Sequence, residues 1–207
     1  MELLKIFDKQ KNQIGIASRD KVHEKGLWHE VFQCWLVSRE QENDMIYLQL
    51  RSERKRDYPA LFDITAAGHL LSDETVADGI RELYEELGIE VAFNNLISLG
   101  VIPYCMKKEN FIDNEFANVF LYMQREPFEQ FDLQLEEVAG MVKVPFNDFK
   151  ALWHDNVSSI EVNGFQVGSD GQKQSLRKII KKEDFVPHPT AYYVTVIERI
   201  EQNLSFS

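Results

Sequence analysis

The chain has 207 residues, 44% hydrophobic and 28% charged, with 34 acidic against 23 basic side chains and a formal net charge of -11. There is apolar material for a sizeable core, and the surplus of carboxylates opposes general binding to nucleic-acid phosphates. No apolar run approaches the roughly 20 residues of a membrane span, and the start Met1-Glu2-Leu3-Leu4-Lys5 lacks the regions of a signal peptide, so a cytoplasmic protein that binds neither nucleic acid nor membrane is expected.

Residues Glu2–Asp8 and Gln13–Ser18 flank the polar stretch Asp8–Asn12, which suits a hairpin. His29–Ser38 and Met45–Arg51 are longer apolar runs, expected as two paired and well-buried strands. The two cysteines, Cys34 and Cys105, lie in apolar surroundings and read as reduced thiols. From Thr75 to Leu87 the period changes: Val76, Ile80, Leu83 and Leu87 recur at helical spacing, and Gly88 follows as a stop. Strands are then expected over Ile89–Val101, Glu115–Met123 and Met141–Val144, and short helices near Asn147–His154 and Gln172–Lys182. A final amphipathic helix over Thr190–Leu204 carries Tyr193, Val196, Ile197 and Ile200 on one stripe. The order predicts an α/β fold, a mixed β-sheet with helices on its faces.

The segment from Gly68 to Ile89 carries the chemistry. Glu82, Glu85 and Glu86 stand at i, i+3 and i+4, so three carboxylates share one helix face about 5–6 Å apart. A hard divalent cation relieves their repulsion and keeps waters that substrate phosphates can replace. A solvated acidic face is the alternative for three glutamates alone. Arg81, the preceding Gly68 loop with Glu74, and the Gly88 stop turn the balance toward a metal site.

That combination resembles the Nudix box: glycine, five residues, glutamate, then Arg-Glu-apolar-x-Glu-Glu-x-Gly-apolar, here Gly68, Glu74, Arg81, Glu82, Leu83, Glu85, Glu86, Gly88 and Ile89. The family has seven residues between the first glutamate and the arginine; this chain has six, Thr75 to Ile80, which puts the bracing of Arg81 by Glu74 in question. Arg51-Ser52, Lys55, Pro59 and Phe62-Asp63 resemble the segment before the box in the isopentenyl-diphosphate isomerase-like group of Nudix proteins. Phe111–Phe116, Leu135–Val138 and Val162–Gly164 also look like hydrolases of this group.

The resemblance implies a Nudix-like α/β/α sandwich, one domain over 1–207 with strands 1–20 and helices 146–207 as extensions. It implies a hydrolase that cuts a diphosphate linkage in a small-molecule substrate, a nucleoside-diphosphate derivative or related organic diphosphate. Glu82, Glu85 and Glu86 would bind Mg²⁺ or Mn²⁺, with Gly68, Glu74, Arg81 and Gly88 as the structural frame. Arg51 and Lys55 would offset the diphosphate charge, and Glu85, Glu86 and Glu137 are candidates for the catalytic carboxylate, with no choice made among them. A homodimer is an assembly it allows.

Isomerases of the group share features with His23, His29, His69, Asp113 and Glu115, which together offer a second metal site. They carry a catalytic cysteine where this chain has Ala67, and their box glutamates are degraded where these are intact, which favours hydrolysis. The alternatives are that isomerase activity, or a catalytically weak nucleotide-binding module. His154 and His188 belong to no motif and are expected to be structural.

Overall fold

The computed structural model describes residues 2–108, 111–125 and 127–204; Met1 and residues 205–207, the ends of the expected domain, lie outside them. Strands β1 (Leu3–Phe7) and β2 (Gln13–Ser18) form the expected hairpin. Asp8 closes its turn, accepting from the backbone N–H of Gln10 at 2.9 Å and of Asn12 at 2.8 Å. Helix α1 (Arg19–Lys25), absent from the expectations, follows at once and ends at Gly26 with φ 62°.

The centre of the sheet is β3 (Trp28–Glu40), next to β4 (Asn43–Arg51). Side chains of β3 alternate between two cores: Val31, Trp35 and Val37 enter one, Phe32, Cys34 and Leu36 the other. The first core is closed by α3 (Phe146–Trp153) and α4 (Thr190–Leu204), through Phe149, Trp153, Tyr193, Val196 and Ile197. The second is closed by α2 (Arg81–Leu87), through Leu83 and Leu87. A sheet buried on both faces by helices is the α/β/α sandwich expected from the sequence.

The remaining strands are β5 (Phe62–Asp63), β6 (Ala66–His69), β7 (Ile97–Lys108), β8 (Phe111–Met123), β9 (Val138–Pro145), β10 (Ile160–Val167) and β11 (Lys173–Ile180). Their order along the main path is β11-β10-β9-β4-β3-β1-β2. β8 pairs with β3 in parallel and with β7 antiparallel, which makes the sheet mixed.

Three expectations are corrected. Residues 172–182 are not a helix: β11 pairs with β10 from Ile160↔Ile180 to Val167↔Lys173. The turn residues Gly168 to Gly171 make that hairpin, and the lysines and arginine of β11 belong to an exposed edge strand rather than to a helix face. Residues 89–96 are loop and a 3-10 turn, so the strand starts only at Ile97. Over Thr75–Leu87 the α-helix is shorter than its apolar period suggests, since Asp78–Ile80 form a 3-10 turn before α2.

The site owes its position to the parting of β3 and β4. They pair only at Val37–Glu40 with Asn43–Ile46. Beyond that, β6 takes over along β3 at Val31–Cys34, and β5 along β4 at Gln49 and Leu50. The divergence opens a cavity of about 430 Å³, within the range of small-molecule sites.

Candidate active site

One wall of the cavity is α2. Two glycines fit this brief helix into place, Gly68 in β6 opposite Glu82 and Gly88 at its C-terminal end. A Cβ on Gly68 would lie within 2.6 Å of the Glu82 Oε2, and Gly88 takes φ 70° where a side chain would strike Asp132. Arg81 spans the box. Its Nε and Nη2 hold the two Glu74 carboxylate oxygens at 2.5 and 3.1 Å, Nη2 also reaches the His69 carbonyl at 3.0 Å, and Nη1 reaches Glu82 at 2.6 Å and Glu85 at 2.9 Å. The Glu74–Arg81 brace thus exists despite the six-residue spacing. The 3-10 turn before α2 accounts for this, because its larger rise per residue covers the distance with fewer residues.

Glu82 and Glu86 are buried and Glu85 is exposed. Glu86 accepts from the Ala67 backbone N–H at 3.1 Å and from Gln49 Nε2 at 3.3 Å. Burial raises the Glu82 carboxyl to about 7 against the pull of Arg81, and burial beside Glu82 pushes Glu86 well above the usual carboxylate range. Two adjoining carboxyls that resist ionisation are what an oxygen-ligated dication compensates.

Across the cavity stands a second cluster. Strand register assembles it: His29 lies opposite Glu115 in the β3–β8 pair, and Tyr104 opposite Glu115 in the β7–β8 pair. His23 from α1 and His69 from β6 complete the group. The ligand atoms of His23, His29 and His69 lie within 4.8 Å of one another, as do those of His29, Asp113 and Glu115. His29 Nε2 and Asp113 Oδ1 are 3.4 Å apart, yet both are buried without a hydrogen-bond partner. Burial lowers the His29 and His69 imidazoles, which favours their neutral form; His69 Nε2 lies 3.4 Å from His23 Nε2, and His29 Nε2 is without a partner. Burial alone would raise Asp113, but the surrounding imidazoles hold it at about 2, while burial beside Asp113 pushes Glu115 well up. Neutral imidazoles beside carboxylates, with orphaned atoms on both kinds of group, suit a borderline or transition-metal cation.

The remaining sequence candidates also line the cavity. Lys55 is ion-paired with Glu137. Arg51 is a wall brace: Nη1 binds Asp63 at 2.8 Å, Nη2 the Asp57 carbonyl at 2.8 Å and Nε the Tyr58 carbonyl at 3.0 Å. His154 is exposed at the end of α3. His188 is different. It lines the cavity, and its Nε2 lies 3.1 Å from Asp63 Oδ1. No local motif marks His188, Gln33 or Tyr104 in the sequence; all three reach the site through long-range contacts, and only the alternation of Gln33 with Val31 and Trp35 hinted at a polar group on a core face.

The carboxyl shifts carry a pH consequence. Glu82 and Glu86 keep protons in the folded, metal-free protein that the unfolded chain, near the ordinary 4.5, has released. The stability these two carboxyls contribute is therefore fully present below that value and is lost as pH rises toward their folded-state values, while the lowered His29 and His69 imidazoles act in the opposite direction below about 6.5. For Glu82 alone the loss is on the order of 3 kcal/mol. Above about pH 6.5, where the histidines no longer oppose the carboxyls, thermal unfolding in a chelator should show Tm falling toward pH 8, and saturating Mn²⁺ should flatten the decline. A metal-free Tm that rises from about pH 7 to 8 would contradict the burial of these carboxyls.

No family model matches the chain. Over 199 residues it is 39% identical to an uncharacterized Nudix hydrolase of Clostridium acetobutylicum, covering 96% of this chain and 97% of the relative. An isopentenyl-diphosphate Delta-isomerase of Photorhabdus laumondii is 28% identical over 153 residues, covering 73% of this chain and 81% of that protein. Among solved structures, a MutT/nudix family protein from Enterococcus faecalis superposes with a TM-score of 0.50 at 12% identity, covering 84% of this chain and 62% of the other, a likeness of fold.

Proposed function

Because this chain belongs to the Nudix hydrolase superfamily, we propose that it hydrolyses the diphosphate linkage of a nucleoside-diphosphate derivative or related organic diphosphate with Mg²⁺ or Mn²⁺. The observation that carries the reading is the intact Glu82, Glu85 and Glu86 set lining the cavity, with Glu82 and Glu85 clamped by Arg81 and Glu86 held by the Ala67 N–H and Gln49.

Glu82, Glu85 and Glu86 would hold the cation, which would supply Lewis-acid polarisation of the phosphoryl oxygens and lower the pKa of the attacking water. Arg81 fixes the carboxylates of Glu82 and Glu85, so ligands are in place before substrate arrives. Lys55 and Arg51 set positive charge against the substrate phosphates, Arg51 from a position held by Asp57, Tyr58 and Asp63. Glu85, Glu86 and Glu137 are the carboxylates that can take the proton of the attacking water. His23, His29, His69, Asp113 and Glu115 would hold a second ion; the unpartnered His29 Nε2 and Asp113 Oδ1 support this assignment.

The test is a panel of ADP-ribose, NADH, dinucleoside polyphosphates, thiamine diphosphate analogues and isoprenoid diphosphates with Mg²⁺ or Mn²⁺, with products identified. Metal-dependent release of a phosphate-bearing product from at least one compound is expected. Silence across the panel, with the compounds still binding, would favour a sensor module instead.

The histidine cluster favours one rival, isomerisation of isopentenyl diphosphate. Ala67 stands against it: its methyl group cannot deliver a proton to carbon, and its N–H is committed to Glu86. Isopentenyl diphosphate with Mg²⁺ should give no dimethylallyl diphosphate by NMR. Isomer that forms and then disappears on changing His69 or Glu86 would reinstate the rival.

A further inference from the structure

Behind Glu115 runs a buried hydrogen-bond chain that reaches the C-terminal helix. Tyr104 Oη donates to Glu115 Oε2. Gln33 Nε2 donates to Tyr104 Oη at 2.8 Å, Tyr192 Oη donates to Gln33 Oε1 at 2.6 Å, and Trp35 Nε1 donates to Tyr192 Oη at 3.3 Å. All five side chains are buried. Four elements contribute: Gln33 and Trp35 come from β3, Tyr104 from β7, Glu115 from β8 and Tyr192 from α4.

Every donor in the chain points the same way. Trp35 has only a donor to give, so the Tyr192 oxygen accepts from it and sends its own hydrogen to the Gln33 carbonyl. The Gln33 amide must then present its NH₂ to Tyr104, which leaves the Tyr104 hydrogen for Glu115. Such aligned chains polarise one another, and their burial makes a missing member costly. One Glu115 oxygen is held by Tyr104, and the carboxylate offers a ligand atom within 4.8 Å of those of His29 and Asp113.

We propose that Gln33 and Tyr192 are positioning residues that orient Glu115, through Tyr104, as a ligand of the cation held by the histidine cluster. Tyr192 thereby makes α4 a supporting part of the site. The inference rests on the second-ion assignment given under Proposed function. Outer partners of this type tune metal affinity by roughly 10- to 100-fold.

Cobalt(II) is a suitable probe, because imidazole ligation with fewer than six ligands gives strong visible absorption, whereas an all-oxygen box site absorbs weakly. Metal-free full-length protein would be titrated with cobalt(II), with the bands assigned by their loss in His69→Gln. Tyr192→Phe and Gln33→Met each break the chain at nearly constant volume, and thermal unfolding is measured alongside. We expect both variants to bind the imidazole-ligated cobalt roughly 10- to 100-fold more weakly, with Mn²⁺ affinity at the box glutamates changed less than about twofold. Wild-type cobalt affinity in both variants, whatever their Tm, would assign the chain to packing and overturn the proposal while leaving the cluster as a metal site. An absence of cobalt bands in the wild type would overturn the cluster assignment and this proposal together, while hydrolysis at the box would stand on its own panel.

Discussion

Glu86→Gln should lower kcat by about two orders of magnitude or more while leaving the metal-free fold intact or more stable. The rate loss is about 2.7 kcal/mol or more of transition-state stabilisation at 1.36 kcal/mol per decade, the scale expected when one charged ligand is lost from the cation that stabilises developing charge. The stability gain follows from the surroundings of Glu86. Burial and the neighbouring Glu82 already disfavour its charge, so a neutral amide of nearly equal volume removes a cost. The Ala67 N–H and Gln49 Nε2 both donate to one Glu86 oxygen, Oε2, so an amide oxygen in its place can still accept from both. Chelator-treated protein should melt at the wild-type temperature or above it near pH 8, in parallel with steady-state kinetics at saturating Mg²⁺. Unfolding of the metal-free variant combined with normal turnover of its folded fraction would make Glu86 a structural residue and sink the mechanism.

Arg81→Ala should do the reverse, damaging fold and rate together. One guanidinium satisfies Glu74, Glu82, Glu85 and the His69 carbonyl. Its removal strands two largely buried carboxylates, Glu74 and Glu82, and breaking such a pair from one side costs several kcal/mol when fully buried. Arg81 is partly exposed, so a discounted figure of about 2 kcal/mol is appropriate, or a fall in Tm of roughly 4–8 °C for a chain of this length. The rate should drop roughly 10- to 100-fold because the ligand geometry loosens. Arg81→Lys should recover little of either, since one ammonium cannot reach four acceptors in a planar fork. Full recovery of Tm and rate in Arg81→Lys would show that charge alone, not the shape of the brace, is what the box needs.

Local pattern made much of this molecule legible. The hairpin at the start, the alternation of β3 and β4 and the stripe of α4 are periodic signals, and the structure has them where the sequence places them. The box glutamates, Arg81 and Gly68 come together because their spacing is local. What escaped was decided elsewhere in the chain. The strand at Lys173–Ile180 is set by its pairing with β10 across a turn, and its own polar residues are indifferent to helix or edge strand. The cavity itself arises where β3 and β4 part, a register event no single segment encodes. His188 and Tyr192 reach the site from beyond the resembling motifs, through Asp63 and Gln33.

The aromatic packing around α4 bears on how the protein can be observed. Of its three tryptophans, Trp153 stacks on Tyr193 with ring centres 3.5 Å apart, and Trp35 packs at 6.4 Å from the same ring. Trp28 lies against Phe116, 4.7 Å away. The box helix α2 carries only the exposed Tyr84 as an aromatic. Intrinsic fluorescence and near-ultraviolet circular dichroism therefore report chiefly on the α3–α4 layer and are nearly silent about α2. A local opening of the box would pass unseen in a tryptophan melt, and amide exchange along Arg81–Leu87 is the observable that registers it.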